Sequence, residues 1–380
     1  MTLSRFSFPT DIQFGVGVRC TVGARLRSEG VKRPLIVTDR GLAPLPAVTD
    51  LQQSLSGDGF AVETFSGVWG NPVKSQVHAG VQAYNEHKAD GIVGIGGGAA
   101  LDVAKAIALL IHHPGDLFDY EDDLPGGRPF DQPIPFWVAL PTTAGTGSEV
   151  GRSAVISDDV THVKKIIFSP RLLAKTVFAD PELTVGLPPA ITAATGLDAL
   201  THNIEAFLAK SYHPLCEAIA VEGLRLGALH LRNAVHEPNN LEARAGMLMS
   251  SMMGAIAFQK GLGVVHSCAH ALGTVCNMHH GLANGVMIDH ALAHNVGVAT
   301  EKFERMAQTV GLKTLGPEAF LTWLEELKAD VGVPATLTAA GVKLESLDAL
   351  VDVAVADACH ANNPRPCSRE DFRHLLQGAF

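Results

Sequence analysis

One short region, 193–280, gathers side chains suited to holding a metal ion. ATGLDALTHNIEAF places Asp198 and His202 four residues apart, GLGVVHSCAHALG does the same for His266 and His270, and NMHHGLANG adds His279 and His280. On a helix, residues i and i+4 share a face. Asp198 and His202 can therefore offer a carboxylate oxygen and an imidazole nitrogen to one cation. His266 and His280 can complete a shell of one oxygen and three nitrogens, a donor set that suits Fe(II) or Zn(II) and not a calcium cage. An isolated pair of histidines four apart is more often a helix-surface feature. Here six ionisable groups fall among small and apolar residues, where charge is seldom buried without a partner or a metal. Cys268 and Cys276 lie in the same region, but Cys268 is two residues past His266 and faces away from it, so both are expected to be packing residues.

A second chemistry is written in GIGGGAALDVAK. Gly96, Gly97 and Gly98 stand where a buried strand hands over to a helix. Glycines there let the backbone approach a ligand, and the free N–H groups of the helix start favour an anion such as a pyrophosphate. The run is not a GxGxxG fingerprint, so a tight turn without a ligand is the competing reading. Asp39, closing PLIVTD, tips the balance: an acid at the end of a strand accepts hydrogen bonds from ribose hydroxyls and repels a 2′-phosphate, which predicts NAD over NADP. PTTAGTGSE (141–149) adds the hydroxyls of Thr142, Thr143, Thr146 and Ser148 on a loop expected to be flexible enough to hold a second phosphate or the nicotinamide ribose.

The elements that must carry these groups alternate in the first half. Strand patterns at 34–39, 61–68, 91–96, 136–141 and 176–180 are separated by helical spacing around 46–55, 73–88 and 97–113, which reads as α/β with a parallel sheet. From Leu187 onward only helical patterns follow, the first opened by Pro188 and Pro189. The expected organisation is an α/β dinucleotide-binding domain over 1–185 and an all-helical, metal-binding domain over 186–380.

Composition removes several function classes. At 380 residues the chain can bury a large core. Its formal charge of −10 argues against a nucleic-acid partner, because there is no basic stripe to release counterions. No apolar run reaches the ~18 residues of a membrane span, and the N-terminus lacks the apolar core of a signal peptide. Six scattered cysteines without a CxxC pair fit reduced thiols, so a cytoplasmic location is expected.

Taken together, GGGAALDVAK, PTTAGTGSEV, DPELT, TAATGLDALTHNIEAF, GLGVVHSCAHALG, HHGLANG and CHANNPR resemble the iron-containing (group III) alcohol dehydrogenase family over essentially the whole chain. The resemblance implies a dehydroquinate synthase-like architecture with a divalent metal in the cleft between an α/β and a helical domain. It implies Asp198, His202, His266 and His280 as the metal's ligands and a proton-transfer or supporting role for His270. It also implies Asp39, Asn71, Gly97, Gly98, Thr142, Thr143 and Lys164 at the cofactor, and a homodimer or larger homo-oligomer. Two positions depart from the pattern. The serine usual after the triple glycine is Ala99, and His279 beside His280 leaves the choice between them to the position before Gly281.

The expected reaction is hydride transfer between NAD(H) and a primary alcohol or its aldehyde, with Fe(II), or Zn(II) on the same ligands, as Lewis acid. Resemblance is greatest to 4-hydroxybutyrate dehydrogenase-like members. Arg152, Lys260 and His360 are therefore candidate contacts for an ω-hydroxy acid or its semialdehyde, against the reading that these cations serve fold or cofactor. The alternatives are a cyclase of the dehydroquinate synthase type and, more distantly, a metal-dependent hydrolase.

Overall fold

The computed structural model describes residues 8, 10–122 and 124–380. The chain divides into two compact units, one formed by 8–143 with 148–184 and the other by 144–147 with 185–380.

Among the described residues the first unit holds eight strands, β1 (Asp11–Phe14), β2 (Pro34–Asp39), β3 (Glu63–Val68), β4 (Gly91–Gly96), β5 (Trp137–Pro141), β6 (Ser153–Ser157), β7 (Lys164–Phe168) and β8 (Thr176–Ala179). Its helices are α1 (Val22–Ser28), α2 (Pro46–Gly57), α3 (Lys74–His87) and α4 (Gly98–Leu110). Six strands form one parallel sheet in the order β1-β8-β5-β4-β2-β3. β2, β4 and β5 are almost wholly buried, as expected of parallel strands covered on both faces. The chain leaves β2 in one direction to reach β3 and returns past it to β4. The ends of β2 and β4 therefore flank the point where strand order reverses, where open α/β sheets bind ligands.

Two features lie outside the sequence expectation. β1 is an edge strand of four residues, DIQF, with no buried position, so no alternation announces it. β6 and β7 form an antiparallel pair, tied to the preceding chain by the bond from Ser157 N to Pro72 O at 2.8 Å.

A buried charge fixes α4 to the chain before and within β6. Lys105 Nζ is fully buried and donates to Asp102 Oδ1 at 3.1 Å, Ser148 Oγ at 2.7 Å and Ser153 O at 2.7 Å. Asp102 accepts in addition from Ser148 Oγ and Val155 N. Removing one member of such a pair strands the other without compensation. Asp102→Ala is expected to lower the unfolding free energy by about 3 kcal/mol or more, read from the shift in denaturant midpoint. An unshifted midpoint would contradict this account of the network.

The second unit holds nine helices among the described residues: α5 (Pro189–Leu208), α6 (Pro214–His236), α7 (Leu241–Ala257), α8 (Val264–Cys276), α9 (His280–Leu292), α10 (Thr300–Thr309), α11 (Pro317–Asp330), α12 (Leu347–Ala356) and α13 (Arg369–Gly378). α5 is buried over most of its length, so this unit's core surrounds the helix that carries Asp198 and His202. No single helix among the described residues is long and apolar enough to cross a membrane.

The loop expected over 141–149 packs against helices at residues 144–147. Gly147 has φ 64°, and a Cβ on it would come within 2.3 Å of Ala255 Cβ; a Cβ on Gly145 would meet Thr195 at 2.8 Å. Small residues here let backbone pack directly on α5 and α7. Ser148 is also unavailable as a phosphate donor, since its hydroxyl is taken by Asp102 and Lys105.

Candidate metal centre and dinucleotide site

Three helices each bring a pair of residues four apart to one point. α5 supplies Asp198 and His202, α8 supplies His266 and His270, and α9 supplies His280 and Asn284. The turn from α8 to α9 is made by Asn277 at φ 51°, a left-handed helix cap. Donor atoms of Asp198, His202, His266 and His280 all lie within 4.8 Å of one another. Asp198 Oδ1 stands 3.9 Å from His202 Nε2, 4.0 Å from His266 Nε2 and 3.5 Å from His280 Nε2. These separations are too long for hydrogen bonds and match donors that converge on a common centre. An aspartate and two imidazoles this deeply buried are costly without a cation. Burial pushes the His202 imidazole down to about 4, so near neutral pH it is the unprotonated form that a metal requires. The donor set fits a divalent first-row ion.

His279 separates from His280 here. It is exposed and caps α9, its Nδ1 accepting from Leu282 N at 3.4 Å. Cys268 is fully buried and its thiol is pushed well up by burial, as suits a packing residue.

Three polar residues that the sequence reading passed over complete the cluster. Glu205, one turn beyond His202, is buried and lies 2.6 Å from His266 Nδ1. It also accepts from the backbone N–H groups of Val265 and His266. Burial pushes its carboxyl up to about 7, against the pull of those backbone donors. With Nδ1 turned to Glu205, His266 presents Nε2 to the centre, the orienting arrangement usual behind metal-bound histidines. Asn284 donates through Nδ2 to Asp198 Oδ1 at 2.7 Å. Asp357 lies 2.7 Å from His270 Nδ1 and accepts from Ser267 Oγ and Cys359 N. Burial raises the Asp357 carboxyl, but the hydrogen bonds from His270 and Ser267 outweigh it and hold the group well below its usual range. The signals for Glu205 and Asn284 were their helical spacings from His202 and His280; Asp357 is 87 positions from its partner and carried none.

Glu205→Ala is expected to weaken metal affinity by roughly 10- to 100-fold, the usual cost of losing an outer-shell partner, while circular dichroism still reports the native helix content. Wild-type affinity in that variant would show that Glu205 does not orient His266.

In the first unit, Asp39 and Gly97 line a cavity of about 280 Å³ together with Gly41, Trp69, Gly70 and Ala99. Asp39 Oδ1 accepts from Gly41 N at 2.9 Å and Leu42 N at 2.8 Å, so one carboxylate oxygen builds the turn after β2. Gly96 has φ 150°, and a Cβ on it would come within 2.7 Å of Ala100 Cβ, so only glycine fits that handover from β4 to α4. Gly98 is the first residue of α4. Thr142 is buried with its N–H on Gly96 O, and Thr143 packs where a Cβ on Gly97 would be. Lys164 pairs with Ser157 across the β6–β7 ladder, and Ser157 is bound to Pro72, next to Asn71. All seven positions thus fall in the first unit, around the ends of β2 and β4 and the hairpin beside them.

Each candidate substrate contact has partners within its own unit. Lys260 is buried, with Nζ 2.7 Å from Glu217 and donating to Phe207 O at 2.9 Å, so its charge is used inside the fold. The Arg152 guanidinium lies 5.2 Å from the centre of the Phe168 ring. His360 Nε2 lies 3.1 Å from Val355 O, and its ring stands edge-on to Phe372.

Residues 9–181 match the model of the iron-containing alcohol dehydrogenases, and residues 192–380 match the model of that family's C-terminal domain. The chain belongs to the iron-containing alcohol dehydrogenase family. It has the dehydroquinate synthase-like fold of that family and is a metal-dependent oxidoreductase. Among similar proteins, an NAD-dependent methanol dehydrogenase of Bacillus methanolicus is 34% identical over 385 residues, covering 100% of both chains. A 4-hydroxybutyrate dehydrogenase of Cupriavidus necator is 36% identical over 97% of each. The solved structure of a 1,3-propanediol oxidoreductase superposes with a TM-score of 0.94 at 36% identity, covering 99% of this chain and 100% of that one. The family assignment does not favour the cyclase or the hydrolase.

Proposed function

We propose that this dehydrogenase transfers hydride between NAD(H) and a small primary alcohol or its aldehyde, on a metal held by Asp198, His202, His266 and His280. The observation that carries the reading is the convergence of those four donors within 4.8 Å, from three helices, in a chain of this family. A divalent ion bound there, Fe(II) or equally Zn(II) by ligand type, supplies Lewis acidity toward an alcohol or carbonyl oxygen. The chain's residues do the rest. Asp198 contributes the set's only negative charge, with Asn284 fixing its carboxylate. Glu205 holds the His266 ring in register. Asp357 binds His270 Nδ1, which leaves Nε2 as the nitrogen that takes up and releases the proton of the alcohol.

The glycines at the start of α4 receive the pyrophosphate of the dinucleotide, and the threonines of β5's end, Asn71 and Lys164 hold the remainder. Asp39 uses one oxygen for its turn and keeps the other for the adenosine ribose, giving NAD over NADP. Six unbridged cysteines support a reducing, cytoplasmic setting, and the family resemblance supports a homodimer or larger assembly.

For the substrate, the pinning of Lys260 on Glu217 favours an uncharged partner, a short primary alcohol or diol, over an ω-hydroxy acid. The likeness to the 4-hydroxybutyrate and 1,3-propanediol enzymes points to short chains of that size in either case. An NADH-absorbance screen of 1-propanol, 1,3-propanediol and 4-hydroxybutyrate separates these readings. Turnover of the diol or alcohol with NAD and little with 4-hydroxybutyrate is the expected result. No NADH from any of them, with metal bound, would overturn the proposed reaction.

A further inference from the structure

We propose that the helical unit carries a second divalent-metal site, built from His294, Cys367 and Asp371, that takes a borderline-soft ion of the zinc or cobalt type. Each of the three offers one donor atom, and those atoms lie within 4.8 Å of one another. His294 follows α9, and Cys367 and Asp371 bracket the start of α13. None of them belongs to the centre described above.

The three side chains are prepared for coordination in different ways. His294 is buried, and its Nε2 lies 3.0 Å from Pro366 O. That carbonyl can only accept, so Nε2 carries the ring hydrogen and the Nδ1 lone pair faces Asp371 Oδ1 at 4.0 Å. A backbone carbonyl behind the ring is the usual support of a ligating histidine. Asp371 turns its other oxygen, Oδ2, to Ser368 N at 2.8 Å and Ser368 Oγ at 2.6 Å. The carboxylate is thereby fixed with Oδ1 left for the site. Cys367 is buried with a 4.0 Å contact to Ser368 O, and burial pushes its thiol up to about 12; unlike Cys268 it stands beside an imidazole and a carboxylate, so a cation held by those two is what would draw its proton off.

A separation of 4.0 Å between nitrogen and oxygen is too wide for a hydrogen bond. It is a little wider than the roughly 3.4 Å that two ligands span in a tetrahedral site at bond lengths of about 2.0–2.2 Å, with sulfur at about 2.3 Å, so the donors need close in only slightly on an ion. The mix of imidazole, carboxylate and thiol selects zinc-like ions over magnesium or calcium. Access is open: a cavity of about 620 Å³ adjoins the cluster, lined by His290, His294, Asp371 and His374. It can admit the ion with a water as fourth ligand. Binding exchanges one proton for the metal, the Cys367 thiol releasing its hydrogen to solvent as the sulfur–metal bond forms.

One cation opposes the ion. Arg365 Nη2 lies 3.8 Å from the same Asp371 oxygen, and its Nη1 donates to His294 O at 3.2 Å. Its side chain is 48% exposed, so it can swing away, but doing so weakens the site. Removing it should therefore tighten binding.

The test is a titration of the full-length chain, freed of metal by chelator, with Co²⁺. Two equivalents are expected, the second accompanied by the near-ultraviolet thiolate-to-cobalt absorption that an all-oxygen-and-nitrogen centre cannot give. Cys367→Ser should lose that band and bind one equivalent, with turnover unchanged, while His266→Ala should keep the band. Arg365→Ala should bind the second equivalent several-fold more tightly. A single equivalent without the band, a band that survives Cys367→Ser, or an unchanged affinity in Arg365→Ala would each overturn the second site.

Discussion

His266→Ala is expected to lose the catalytic metal and, with it, turnover by about 10³-fold or more, since a bound Lewis acid contributes several kcal/mol and each 1.36 kcal/mol is a factor of ten. His266 is the right residue to remove because it is buried in the centre of the cluster and oriented from behind by Glu205. The substitution also strands the buried Glu205 carboxyl, so a loss of stability will accompany the loss of metal. His280→Ala separates the two effects. His280 is half-buried at the rim, and its removal leaves the Glu205–His266 pair intact. Metal content and NADH formation should fall in both variants, while the thermal midpoint should fall chiefly in His266→Ala. A metal-free but active enzyme in either case would contradict the account.

Asp39→Asn is expected to move the NAD/NADP preference toward NADP by about 10²-fold or more, because like charges brought together at a binding surface cost several kcal/mol and each 1.36 kcal/mol is a factor of ten. The structure favours asparagine over glycine as the probe. Asn keeps an oxygen for the backbone N–H groups of Gly41 and Leu42, so the turn after β2 survives. The neighbouring Arg40, whose guanidinium lies 5.5 Å from the ring centre of Trp69, a residue that lines the Asp39 cavity, is the nearby cation that a 2′-phosphate would meet once the carboxylate's charge is gone. The ratio of kcat/KM for the two cofactors is the measurement. An unchanged ratio would show that Asp39 serves only its turn.

How much of this was legible in the sequence differs between the two units. The clustered donors were readable because each helix states its own pair: a spacing of four is a local property, and Asp198 with His202, or His266 with His270, needs no tertiary information. The grouping of His266 with His280 rather than His279 did need it, since the turn at Asn277 decides which ring faces inward. The parallel strands were legible from their unbroken apolar runs, but β1 and the β6–β7 pair were not, being short and only partly buried. Asp357 was invisible for a simpler reason. Its partner His270 is brought to it by the packing of α8 against α12, and no spacing in the chain encodes that. Lys260 shows the opposite limit: a cation beside a histidine helix reads as functional, and only the packing reveals its carboxylate partner, Glu217.

Anomalous diffraction at the iron edge, from crystals of protein loaded anaerobically with Fe(II), asks the central question directly. One strong peak is expected at bonding distance from an Asp198 carboxylate oxygen and from Nε2 of His202, His266 and His280. Iron bound elsewhere while those four side chains remain unliganded would contradict the proposed centre.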